Sequence, residues 1–444
     1  MKKVLLLGAG LVTRPLVRYL LDQPNIELII ASRTVSKAEK LLEGHPKGKS
    51  VSLNVKDEED KLEQLVGEAD VVISLLPWIY HLKVAHLCLT HEKHLITTSY
   101  VSPEMKELDE KAREKGLLFL NEIGLDPGID HMSAMKIIED VKNRGGKITS
   151  FESVCGGLPA PEDNDNPFGY KFSWSPRGVI LAGRNNAHYL KDGLDKVIEG
   201  KDLFLDYWEK EVNQLGKLEV YPNRDSMIYQ ELYELWNSKT IFRGTFRNLG
   251  WCETLYSIAK MGWLDDTLRE ELKELTLVEV TSKLVGTDKN DVVAKTAELI
   301  NQSEDSNVMQ NLKWLGLFEE VVVEPEQWTY LDILSARMQL MMPYKDGEKD
   351  MIVLQHDFMA EFPDAQNEHI ISLMIDYGIP DGDSAMARTV SLPAAIATRF
   401  ICEGKFDGIA GVYIPNIPEI YNPVLEELER LNIKMVDTIN YLEQ

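Results

Sequence analysis

With 444 residues the chain is long enough for two or three domains with sizeable cores. A formal net charge of −24 repels phosphate backbones and anionic lipid, which argues against nucleic acid and membrane as partners. Four scattered cysteines, Cys88, Cys155, Cys252 and Cys402, form no C-x-x-C pair, so neither structural zinc nor a disulfide framework is expected and a reducing, cytoplasmic setting is. Lys2 and Lys3 precede an apolar run, but Arg14 and Pro15 break it early and no small-residue cleavage site follows. A secretory signal is therefore not expected, and no uncharged stretch reaches the ~18 residues of a membrane span.

The chain opens on Val4 to Leu7, an apolar run that reads as a buried strand, followed by Gly8, Ala9, Gly10, Leu11 and Val12 and then an amphipathic helix. A helix that starts at a glycine turn offers unpaired N–H groups and a positive dipole end to a pyrophosphate. The third glycine of the dinucleotide pattern is replaced by Thr13, which weakens the motif taken alone. Pro15 suits the first turn of a helix beginning near Leu11, where its missing N–H costs no bond.

The next hundred residues repeat this unit. Strands are predicted over 26–31, 51–55, 71–75, 94–98 and 117–120, with helices between them. Ser36 and Glu39 have the spacing of a capping box, and further helices are expected over 82–89 and 103–115. Six strands alternating with helices specify a Rossmann-type, doubly wound parallel α/β sheet whose ligands lie beyond the carboxyl ends of the strands. The end of the second strand usually carries Asp or Glu for a free ribose 2′-hydroxyl, but here it holds Ser32, Arg33 and Thr34. A guanidinium and two hydroxyls suit a 2′-phosphate, so NADP is favoured over NAD. Asn54 and Val55 after the third strand, with Leu76 and Pro77 after the fourth, complete the expected cofactor contacts.

Further strand ends offer Ser99 and Tyr100 after the fifth strand and Asp126 after the sixth, ahead of a helix over 131–141. Asp126, beside Pro127 and Gly128, has a plainer alternative role as a turn or capping carboxylate. Past residue 145 the alternation stops. A new strand over 147–154 leads into loops rich in Gly, Pro and aromatic residues around Cys155, Trp174, Arg224 and Arg243 to Arg247. Loops of this composition commonly line sites.

Eight blocks, GAGLVTRP, SLLPW, TTSYVSP, GLDPGIDHM, CGGLPAPE, YKFSWSPRGV, YPNRDS and RGTFR, resemble in the same order those of the L-glutamate-forming saccharopine dehydrogenases, also called saccharopine reductases. The resemblance covers nearly the whole chain. It implies oxidation of saccharopine with NADP and water to 2-aminoadipate 6-semialdehyde, L-glutamate and NADPH, or the reverse. Ser32, Arg33 and Thr34 resemble the NADP-using members. Arg224, Thr245, Arg247, Ser99 and Asp126 match substrate positions, and Asp126, Tyr100 and Cys155 match polar site residues of the family. Three arginines, Arg224, Arg243 and Arg247, suit a substrate with three carboxylates. Cys155 has the alternative of being a small core side chain.

The expected organisation is a dinucleotide-binding domain over 1–125 with a return at about 385–444, an α+β substrate and dimerisation domain over 126–254 and 326–384, and a helical subdomain over 255–325. Helices are expected over 264–277, 294–300, 385–402 and 423–431, and paired strands over 351–358 and 369–377. The family's middle sheet suggests a homodimer. The histidines show no metal spacing, and His81, His86, His91 and His94 read as surface residues of helix and strand, so no metal site is expected. Two alternatives share the cofactor fold: a carboxynorspermidine-type reductase that forms a C–N bond, and a non-catalytic NADP-binding protein.

Overall fold

A computed structural model describes residues 1–442, and the chain divides into two compact units. The first comprises Met1–Lys147 and Gly382–Val436, and the second Ile148–Asp381 and the residues from Asp437 onward. Of the expected carboxyl-terminal return, Glu443 and Gln444 lie outside the described residues.

In the first unit, seven parallel strands lie in the spatial order Gly411–Tyr413, Leu118–Leu120, His94–Thr97, Val71–Ser74, Lys2–Leu7, Ile26–Ser32 and Gly48–Ser52. Val4 to Leu7 and Val71 to Ser74 are buried on both faces, which is why they read as unbroken apolar runs rather than alternating ones. The chain order reverses between Lys2–Leu7 and Val71–Ser74, paired with Leu7 beside Ser74. The predicted doubly wound sheet is thus present, and its switch point lies beside the glycine turn.

Local boundaries differ from the sequence expectations for identifiable reasons. The first helix begins at Arg14, not near Leu11, with Thr13 at the N-cap and Pro15 in the first turn. The helix Val35–Leu42 is entered from Thr34, so Ser36 and Glu39 lie inside it and form no capping box. The third strand is Gly48–Ser52, leaving Asn54 and Val55 beyond its end. The helix expected over 103–115 is two short ones, Pro103–Lys106 and Asp109–Glu114. Near the carboxyl end, Pro418 opens the helix Pro418–Arg430 and Pro423 lies inside it, whereas the sequence reading started that helix at 423.

The second unit is built on a nine-stranded sheet. Its main path runs Trp208–Val212, Gly216–Pro222, Thr240–Arg247, Lys147–Pro159, Asp350–Glu361, Asn367–Tyr377 and Val436–Leu442. The hairpin Ala187–Lys191 and Leu194–Ile198 attaches to Thr240–Arg247. That strand pairs parallel with Lys147–Pro159 and antiparallel with Gly216–Pro222. Asp350–Glu361 and Asn367–Tyr377 form the expected antiparallel pair. The helices Trp251–Lys260, Leu277–Val285, Val292–Ile300, Asn307–Trp314 and Tyr330–Met341 contribute to one apolar core with these strands. Residues 264–277 do not form the expected helix; only the short 3-10 turn Glu270–Leu272 lies within them. Asp265 accepts from the Thr267 N–H at 2.8 Å, turning the chain, and Thr276 with Glu279 forms the capping box that starts the helix at Leu277.

Candidate functional site

The glycine turn fits a dinucleotide on local geometry. Gly8 has φ +115°, and a Cβ there would come within 3.0 Å of the Leu75 carbonyl oxygen, so only glycine lets the turn lie against the neighbouring strand end. Gly10 is exposed, with nothing nearer to such a Cβ than the Thr13 hydroxyl at 4.0 Å, which leaves its outer side open for close approach. Thr13 is fully buried and its hydroxyl has no hydrogen-bond partner. A buried polar group of this kind at a helix N-terminus suits a phosphate oxygen or an ordered water. Leu11 is exposed and Val12 half-buried beside it.

At the end of the second strand, Arg33 and Thr34 are exposed and the Ser32 hydroxyl accepts from the Thr34 N–H at 3.3 Å. Among the described residues Arg33 has no ion-pair or hydrogen-bond partner. It stands beside the N-terminus of Val35–Leu42, where both its charge and the helix dipole favour an anion. Arg14, by contrast, is committed to Asp383 at 2.7 Å. Asn54 is held in a turn, with its backbone N–H on Glu58 at 2.7 Å and its side-chain Oδ1 accepting from the Lys56 N–H at 3.2 Å. Val55 is buried in the core, while Leu76 is half-buried and Pro77 exposed.

The fifth and sixth strand ends bring Tyr100 to Asp126: the phenol donates to Oδ1 at 3.1 Å. The following helix spans Ile129–Asn143 with Gly128 at its N-cap. Asp130 accepts from the Gly128 N–H at 2.5 Å. Gly128, with φ +147°, lies so close to Gly124 that a Cβ would meet its carbonyl oxygen at 2.0 Å, and this close approach sets the path that presents Asp126. Beneath it Glu122, in the left-handed region at φ 57°, accepts from the Val101 N–H at 2.9 Å and meets His131 Nε2 at 2.8 Å.

His81 departs from its expected surface position. It is buried and contacts Ser74 through Nδ1 at 2.9 Å, and Ser99 and Thr97 through Nε2 at 2.8 and 3.2 Å. Burial lowers its pKa to about 4, so the ring is neutral at ordinary pH. It opens a helix just after the turn Trp78–Tyr80, whose first two residues are exposed, so nothing in the local pattern signals burial.

In the second unit, the strand Thr240–Arg247 carries Arg243, Thr245 and Arg247 at alternate positions, hence on one face. In-register partners on that face are Ser153 for Arg243, Cys155 and Tyr221 for Thr245, and Glu219 for Arg247. Arg247 is 6% exposed, with its guanidinium carbon 5.0 Å from the Tyr170 ring centroid, 5.3 Å from Trp251 and 5.9 Å from Tyr221. It donates from Nη1 to the Phe246 carbonyl at 2.8 Å, while Nε has no partner. A planar cation held by rings with a donor to spare is suited to a carboxylate. Arg243 is also buried, lies 4.6 Å from the Tyr229 ring centroid and donates to its hydroxyl. Arg224 is exposed in a loop, with φ 58°. Cys155 is buried and Trp174 half-buried against the unit's core. The ring partners Tyr170, Tyr221, Tyr229 and Trp251 were not expected from sequence, because cation–ring pairs far apart in the chain leave no local pattern.

Among the described residues no cluster of three or more His, Cys, Asp or Glu side chains could hold a metal ion, and no helix is long and apolar enough to cross a membrane. The parallel sheet and its glycine turn define a dinucleotide-binding α/β protein with an additional mixed-sheet unit. Residues 4–120 match the family model of the saccharopine dehydrogenase NADP binding domain, and residues 124–433 that of the saccharopine dehydrogenase C-terminal domain. The chain belongs to the saccharopine dehydrogenase family. It is 40% identical over 449 residues to a saccharopine dehydrogenase (NADP+, L-glutamate-forming) of Schizosaccharomyces pombe, covering 99% of each chain. It is also 40% identical to the Saccharomyces cerevisiae protein of the same name, covering 96% of this chain and 97% of that one. The solved apo structure of the histidine-tagged L-Glu-forming saccharopine dehydrogenase from Saccharomyces cerevisiae superposes with a TM-score of 0.89 at 38% identity, covering 99% of this chain and all of that one.

Proposed function

We propose that the protein is an NADP-dependent, L-glutamate-forming saccharopine dehydrogenase, an oxidoreductase acting on a CH–NH group. The observation that carries this reading is likeness over nearly the full chain to relatives of that name. The reaction joins saccharopine, NADP+ and water, and releases 2-aminoadipate 6-semialdehyde, L-glutamate, NADPH and a proton. NADP, when bound, supplies the hydride acceptor.

The chain's own residues bind and orient. Gly8, Gly10, Leu11 and Val12 form the pyrophosphate turn, Ser32, Arg33 and Thr34 take the 2′-phosphate, and Asn54, Val55, Leu76 and Pro77 flank the cofactor. Arg224, Arg243 and Arg247 serve the substrate carboxylates, with Ser99, Trp174 and Thr245 as further contacts. Asp126, oriented by Tyr100, faces the secondary ammonium and stabilises positive charge as the C–N bond gains double-bond character. Cys155 is the third polar candidate for a role in the chemistry. The imine is hydrolysed by water, so one proton released on amine oxidation can leave through substrate or solvent.

We further assign the protein to the cytoplasm as a homodimer, from its acidic composition, its free cysteines and its mixed sheet. Cell fractionation and sedimentation test these two points. A carboxynorspermidine-type reductase and a non-catalytic NADP-binding protein are both less consistent with such full-length likeness. Steady-state assays with saccharopine and each nicotinamide cofactor decide: turnover with NADP supports the reading, and none with either cofactor overturns it.

A further inference from the structure

The group around His81 joins three strand and loop ends of the first unit. Ser74 ends one strand, Thr97 ends the next, and Ser99 stands two residues beyond it. Ser74 and Thr97 are buried, whereas Ser99 is only half-buried. The Ser74 hydroxyl meets Nδ1 of His81, the Ser99 and Thr97 hydroxyls both meet Nε2, and Thr97 Oγ1 also accepts from the Ser99 N–H at 3.2 Å.

A neutral imidazole has one N–H and one lone pair, so the hydrogens can be counted. With the proton on Nδ1, the ring donates to Ser74, whose own proton is stranded, and the Nε2 lone pair accepts from either Thr97 or Ser99. If it accepts from Ser99, the buried Thr97 proton is stranded as well. With the proton on Nε2, Ser74 donates to Nδ1 and the ring donates to Ser99 at 2.8 Å, stranding only the Thr97 proton. Every arrangement with a single stranded hydroxyl proton therefore leaves the Ser99 proton pointing away from His81. Buried polar groups without partners are strongly disfavoured, so the arrangement with two is the one to discard.

We infer that His81 is a positioning residue that fixes Ser99 as a hydrogen-bond donor to an anionic oxygen of the substrate, a carboxylate. This rests on the reading that saccharopine is the substrate and Ser99 one of its contacts. His81 itself contacts Ser74, Thr97 and Ser99 through its ring nitrogens. Its effect passes entirely through the Ser99 hydroxyl.

The test is a double-mutant cycle read by KM and kcat separately. Ser99→Ala raises KM for saccharopine about tenfold or more, the consequence of removing a hydrogen bond to a charged group, with NADPH affinity unchanged. His81→Asn, whose amide reaches only the Nδ1 position, gives a similar rise. His81→Gln, whose amide approaches the Nε2 position, restores most of it. His81→Asn combined with Ser99→Ala is no worse than Ser99→Ala alone. NADPH fluorescence titration counts the folded sites, so a folding defect is separated from a KM effect. The inference is overturned if the two losses add, if Gln is as poor as Asn, or if either single variant keeps the unaltered KM. Those outcomes all occur in an enzyme that turns over saccharopine, whereas failure of the functional reading is seen in the unaltered protein, which would then show no turnover at all.

Discussion

The two units meet charge in different ways. In the first, the group around His81 at two strand ends is built of short hydroxyls, a backbone N–H and a neutral imidazole, and the cation at the second strand end, Arg33, is exposed. In the second, Arg243 and Arg247 are buried in the middle of a sheet and lie against aromatic rings. An exposed guanidinium keeps much of its hydration when an anion binds, so its net contribution is modest. A guanidinium already stripped of water and oriented by rings spends little on binding a carboxylate, and its loss leaves the surrounding site without a charge it was built around. Affinity for the negative groups of the ligands should therefore depend far more on the second unit than on the first.

The sharpest way to break that comparison is Arg247→Met. It should raise KM for saccharopine by up to three decades, about 4 kcal/mol, and lower the melting temperature by several degrees, since the ring cage loses its cation. Exposed Arg224→Met should also raise KM, by at least about tenfold, with the melting temperature unmoved. Equal thermal effects at the two positions would show that burial is not what distinguishes them.

The neutral character of the first unit's polar network gives the next largest effect. His81 has its pKa depressed by burial to about 4, against 6.5 for an exposed ring. Between those values the unfolded chain binds a proton that the folded one does not, so stability is complete above about pH 6.5 and falls as pH drops towards 4. The loss attributable to this residue is about 3 kcal/mol. Denaturant unfolding followed from pH 7 to 4 should show that component in the unaltered protein and lack it in His81→Gln. Identical pH slopes would mean that His81 is protonated in the folded state.

A smaller effect is expected at Asp126, which combines features of both regions: a charged group held by a neutral one, Tyr100. Asp126→Asn keeps the shape and the hydrogen bond but removes the charge. It should lower kcat/KM by roughly ten- to a hundredfold, within the range for one electrostatic partner, while NADPH binding and stability hold. Asn serves at a turn or helix cap as well as Asp, so little stability loss is expected from that source. Full activity in the variant would return the proton and charge roles to Tyr100 and Cys155.

The same contrast explains what could be read from the sequence. The first unit's strands are apolar runs alternating with helices at short range, and this periodicity is local, so the sheet and its glycine turn are legible in the sequence. Errors there concern ends, as at Thr13 and Ser36, where one residue's cap geometry decides and several neighbours could serve. The second unit's sheet is assembled from strands far apart in the chain, Lys147–Pro159 beside both Thr240–Arg247 and Asp350–Glu361, and long-range pairing leaves no periodic trace. The arginines there are legible through resemblance, and Tyr170 and Tyr221 fall in the same family blocks, but nothing in the sequence pairs these rings with Arg247. His81 shows the limit most clearly: its burial depends on hydroxyls from two other segments, none of which predicts it.

The smallest predicted effect is at Arg33, and it tests the exposed side of the comparison. This residue has no partner among the described residues and stands over the N-terminus of Val35–Leu42, where an anion is favoured by both charge and dipole. One charge-assisted contact to a 2′-phosphate, kept in water, is worth about 1.4 kcal/mol, or tenfold in kcat/KM for NADP over NAD. Arg33→Ala should erase that margin, leave turnover with NAD unchanged and not alter the melting temperature. Raising the salt concentration should shrink the preference of the unaltered enzyme in the same direction, because an exposed ion pair is screened whereas the buried contacts of Arg247 are not. Equal kcat/KM for the two cofactors in the unaltered protein would remove Arg33 from the cofactor site. A preference that survived Arg33→Ala would move the selectivity to Ser32 and Thr34, whose hydroxyls flank the same helix end.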